Sequence, residues 1–156
     1  MFPGSHDAGC IQNKFQYHND ETTTLLSKVN WETQQYGIKG QMEKGSRFFD
    51  LRFSKYTGGP ADTPFVEQTR VYHGDMWPIK DFSISLKEVR RDILTFINGD
   101  QPGGGKEILF LRVKLSGVDK KQFYEEFLGP TEVEGLGSIK DHAIDLGSSI
   151  GGDDAG

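Results

Sequence analysis

Among its 156 residues the chain has one cysteine, Cys10. A lone thiol closes no internal disulfide and cannot build a multi-cysteine zinc site, so neither kind of staple is available to this fold. Long apolar runs are missing as well. No stretch approaches the ~20 apolar residues that a bilayer-crossing helix needs, and the first residues show no charged start leading into an apolar core. These two absences predict a soluble chain. Basic residues are in deficit, with 18 Lys and Arg against 23 Asp and Glu and a formal net charge of -5. That balance argues against a broad nucleic-acid-binding face. What is present is a moderate hydrophobic share of 35%, with aromatics at 12%. The length fits one globular domain able to bury a core.

The stretch Phe2-Pro3-Gly4-Ser5-His6-Asp7-Ala8-Gly9 carries the first chemical signal. Pro and Gly fix a sharp exit from an extended segment, and an imidazole and a carboxylate follow at once. Taken singly, such a pair is an ordinary surface feature. Residues 10 to 24 read as a rim loop, Leu25 to Tyr36 as a helix, and a short turn follows through Ile38, Gln41 and Met42. Ser46 to Phe53 reads as a buried strand bounded by Gly45, with Phe48, Asp50 and Arg52 on one face and Phe49, Leu51 and Phe53 on the other. Residues 55 to 69 read as a loop and Arg70 to His73 as a short strand. The clearest helix is Ser85 to Asn98, opened by a Ser85/Glu88 capping box and closed near Gly99. Glu107 to Leu115 is a near-continuous apolar run, expected to be a strand covered on both faces. Asp119 to Leu128 predicts a last helix, ending a core over 1–128. Residues 129–156 read as a Gly-rich, acidic tail of no clear pattern.

Alternating strands and helices predict an α/β fold with about four parallel strands, near Phe2, Phe49, Tyr72 and Phe110. That is half of an eight-stranded barrel, which usually takes about 250 residues. Reactive groups gather at strand ends in such folds. His6 and Asp7 follow the first strand, and Arg52, His73 and Lys114 end the next three. Two histidines, a carboxylate and an arginine are what phosphodiester cleavage asks for: a base, an acid, and a fixed cation for the charge that grows on phosphorus.

Four stretches together resemble the catalytic X domain of phosphatidylinositol-specific phospholipase C, nearest its small bacterial, metal-independent members. They are Pro3-Gly4-Ser5-His6-Asp7, the run from Thr33 through Gln41-Met42 to Gly45 and Asp50-Leu51-Arg52, then His73-Gly74, and Glu107 to Lys114. The resemblance implies a distorted β/α barrel of the TIM type, of which this chain carries the N-terminal half. It implies that His6 takes the proton of the inositol 2-hydroxyl and that His73, paired with Asp7, protonates the departing diacylglycerol oxygen. Arg52 would hold the phosphate in place of the calcium used by other members, so no cofactor or metal is expected. Asp50 would orient Arg52, and Lys114 would touch the inositol ring. Trp77 is a further substrate-side candidate, able to dip into a lipid surface or stack on a sugar, with aromatic packing against the helix after it as the safer reading. Arg112 shares a face with Lys114 and has no assigned role. In relatives the carboxylate orienting the first histidine comes from a late strand, and no such strand is present before residue 156. The expected partners are phosphatidylinositol or a related phosphodiester lipid and a peripheral membrane surface, with no nucleic acid, and secretion would fit the bacterial relatives. The rival readings are cleavage of another phosphodiester and a non-catalytic or truncated barrel that binds inositol phosphates.

Overall fold

The computed structural model describes residues 4–10, 34–73, 81–99, 108–130 and 135–143. Strand β1 is short, Gly4–Ser5. Helix α1, Ile38–Glu43, turns Ile38, Gln41 and Met42 inward. Gly45, at φ 97°, closes it, with the amide of Ser46 donating to the Gln41 carbonyl and that of Gly45 to Met42. This paired closure needs a left-handed residue, which glycine adopts without steric cost. Strand β2, Phe48–Lys55, follows at once. A short helix α2, Phe65–Gln68, leads into β3, Thr69–His73, and β4, Asp81–Ser85. Ser85 ends β4 and caps helix α3, Leu86–Ile97, through the capping box with Glu88. Strand β5, Phe110–Ser116, and helix α4, Lys120–Leu128, complete the ordered core.

Among the described residues the fold is mixed α/β with one open sheet of mixed direction. Strands β1 and β5 run parallel to β2, whereas β3 is antiparallel to β2 and β4 antiparallel to β3. The expectation of four parallel strands is therefore corrected. The Tyr72 strand returns beside β2 as one arm of an antiparallel pair, and α3 supplies the crossover that a parallel β2–β5 pair requires. Residues 34–36 are bend and bridge, so the helix expected over 25–36 does not reach its predicted end, and its remainder lies outside the described residues, as does Phe2. The loop expected over 55–69 holds α2.

Side-chain alternation sorts the sheet by chemistry. Phe49, Leu51 and Phe53 are fully buried, beneath Ile38 and Met42 of α1, Val89, Ile93 and Leu94 of α3, and Phe123 of α4. The Phe53 and Phe123 rings lie 5.1 Å apart. On the opposite face Asp50 and Arg52 stand in register with Arg112 and Lys114 of β5. Arg112 and Lys114 are exposed and their apolar neighbours half-buried, so β5 is covered on one face, not on both. Its sequence misled because a strand at the margin of a one-sided layer can still be rich in Leu, Val and Phe. Part of the expected tail is structured. A bridge joins Pro130 to Ser138, Ile139 is buried, and buried Arg90 of α3 donates to the carbonyls of Gly129 and Pro130.

Two substitutions check this packing. Ser85→Ala removes the cap acceptor and is expected to cost about 1 kcal/mol in urea unfolding. At Gly9 an added Cβ would meet Val71 Cγ2 at 2.6 Å; Gly9→Ala should cost about 1–3 kcal/mol by overpacking, and Val71→Ala in the same chain should recover part of it.

Candidate active site

The site arises from how β2 shares its edges. β5 occupies one edge from Phe48 to Ser54. The other edge is divided: β1 pairs with Phe48 and Phe49, and β3 with Phe53 to Lys55. β1 runs with β2 and β3 runs against it, so their ends approach each other opposite Asp50, Leu51 and Arg52. His6 and Asp7 leave β1 there, and His73 ends β3 there. Arg52 lies within β2, not at its end, and this divided edge is what brings the histidines to it.

Asp7 is the hub. It adopts φ 48°, a left-handed conformation that aspartate tolerates better than most side chains. Its carboxylate is buried, with Oδ2 at 3.0 Å from His6 Nε2 and 2.9 Å from His73 Nε2, and Oδ1 at 3.1 Å from Arg52 Nε. Asp50, also buried, places Oδ2 at 3.3 Å from both His6 Nδ1 and Arg52 Nη2. Asp50 thus stands against His6 where the sequence suggested no carboxylate. His6 is 72% exposed, whereas the side chains of His73 and Arg52 are 21% and 22% exposed. One histidine faces solvent and the other is largely covered.

The turn is held by groups the sequence reading did not single out as functional. The Ala8 amide donates to the Asp50 carbonyl and the Cys10 amide to that of Asp7. Gln34 donates from its side chain to the His6 carbonyl, and buried Gln41 donates to the carbonyls of Ala8 and Tyr36. A glutamine on the inward face of a short helix was the available signal for Gln41. For Gln34 there was none, because its contact depends on two chain segments meeting.

Lys114 sits beside Arg52 on the neighbouring strand, and Arg112 beside Asp50. Trp77 lies outside the described residues, as does His18; His142 is exposed and apart from the site. Among the described residues, His6, Asp7 and Asp50 form a group whose ligand atoms lie within 4.8 Å of one another. Arg52 already bridges the two carboxylates of that group, so a dication there would face a guanidinium. A cradle of two buried carboxylates, two imidazoles and one guanidinium can move protons and hold an oxyanion.

No family model, characterised protein or solved structure matches the chain.

If Asp7 organises Arg52, a double-mutant cycle between Asp7→Asn and Arg52→Gln should return a coupling of about 1.5–3 kcal/mol, as for hydrogen bonds to charged groups. Coupling near zero would mean that the pair is not formed in solution.

Proposed function

We propose that the chain is a phosphodiesterase of the phospholipase C type, cleaving phosphatidylinositol at the headgroup phosphate without a metal ion. The observation that carries this reading is the convergence of His6, His73 and Arg52 on the one buried carboxylate of Asp7. A phosphodiester needs a proton removed from the attacking oxygen, a proton delivered to the leaving oxygen and a cation on the phosphoryl oxygens. His6, the more exposed imidazole, suits the first task once substrate displaces Asp50 from Nδ1, the ring nitrogen held at the longer distance of 3.3 Å. It takes the proton of the inositol 2-hydroxyl, whose oxygen then bonds to phosphorus. His73 gives its proton to the diacylglycerol oxygen as that P–O bond breaks, leaving a cyclic inositol phosphate. Arg52, fixed by two carboxylates, holds the charge that grows on the phosphoryl oxygens. Asp7 and Asp50 position these three groups. The finer fold reading belongs with this one: β1, β2 and β5 are three adjacent strands of a distorted β/α barrel wall, with the charged face toward its axis. The substrate would be met at a membrane surface, the chain acting as a peripheral protein.

A second reading, headgroup binding without turnover, is favoured by the openness of the sheet, whose charged face leaves Arg112 and Lys114 exposed.

Phosphatidylinositol vesicles with excess chelator separate the two. The parent chain should release cyclic inositol phosphate, and His6→Ala and His73→Ala should each slow release by about a hundred- to ten-thousandfold. Vesicle binding without release by a folded parent chain would leave the binding reading standing and remove the catalytic one.

A further inference from the structure

The left-handed backbone of Asp7, at φ 48°, has to be held against relaxation. For a residue with a Cβ that conformation is disfavoured by an amount comparable to a hydrogen bond or two, and it persists only where the surroundings over-determine it. Two peptide planes meet at Asp7. The one that follows is fixed by backbone: the Ala8 amide donates to the Asp50 carbonyl at 3.0 Å and the Cys10 amide to the Asp7 carbonyl at 2.9 Å. The one that precedes sets φ, and a side chain grips it. Gln34 donates from Nε2 to the His6 carbonyl at 2.8 Å. The Gln34 amide donates to the Cys10 carbonyl at 3.0 Å, so this half-buried residue straddles the turn with Asp7 between its two contacts.

We propose that Gln34 is a positioning residue of the site. By holding the His6–Asp7 peptide plane it keeps Asp7 left-handed and its carboxylate aimed at both histidines and Arg52. The catalytic meaning of this rests on the phosphodiesterase reading. Rotation about φ carries the Asp7 side chain with it, and its three contacts, at 2.9 to 3.1 Å, leave little room for that. A misplacement of about 1 Å at a reacting centre can cost on the order of a hundredfold in rate. The Gln34 amide is uncharged and acts only through Asp7. Among the described residues its bonds go to His6 and Cys10, so any influence on His73 has to pass through the shared carboxylate.

The test is NMR of the full chain with labelled histidines, comparing the parent with Gln34→Ala and with Gln34→Met, which keeps the length of the side chain but not its donor. In both variants the ring signals of His6 and His73 should move together, while that of His142, exposed and apart from the site, stays in place. Exchange of the Ala8 and Cys10 amides should rise about two- to tenfold, the range that one neutral hydrogen bond supports. On phosphatidylinositol vesicles both variants should lower kcat and leave KM near the parent's. A shift of His6 alone, parent-like signals or amide exchange in Q34M, a parent-like kcat in that variant, or His142 moving with the others would each overturn the proposal. A parent chain that releases no cyclic phosphate removes the catalytic reading alone, and the His73 signal then decides whether Gln34 aims Asp7.

Discussion

Two carboxylates buried on one strand edge constrain everything around them. Asp7 is 2% exposed and Asp50 4%, and buried charges of one sign persist only when cations or donors surround them. Arg52 answers both carboxylates, and the two histidines complete the shell. The arrangement ties three separate segments, the His6–Asp7 turn, the middle of β2 and the end of β3, into one unit. Moving any of them away would strand a charge in a poorly solvated position. The same network that presents reactive groups therefore also holds β1, the shortest strand, against β2.

Sheet and site depend on each other through the divided edge of β2. Had β3 been parallel, His73 would have left the far end of the sheet, and no side chain could have carried it back to Asp7. The antiparallel return places it beside the β1 terminus. Behind the sheet, the apolar residues of β2 pack against α1, α3 and α4, and this gives the charged face a rigid support. A rigid support matters for chemistry, because catalytic groups act only when held near the productive geometry.

The charge distribution of this face differs from that of the chain as a whole. A net charge of -5 would repel an anionic lipid surface, yet Arg52, Arg112 and Lys114 share one side of the sheet. Local potential, not net charge, governs what a charged face attracts. Asp50 acts on both sides of its strand: toward β1 it meets His6, and toward β5 it draws Arg112.

The sequence by itself determined the local elements whose signals are short-range. The capping box at Ser85 and Glu88, the glycine closing α1 and the alternation in Phe48 to Phe53 all act within a few residues. It also set His6, Asp7, Arg52, His73 and Lys114 at strand ends as one candidate group, to which the resemblance added Asp50. Tertiary structure decided strand direction, since a run such as Arg70 to His73 pairs equally well either way until its neighbours are fixed. It decided that β5 is covered on one face only, and that Asp7 serves both histidines and Arg52 at once. It also decided that Gln34 and Gln41 hold the turn, and that Asp50 stands against His6. Those outcomes depend on which distant segments share an edge, and no periodicity within a segment records that.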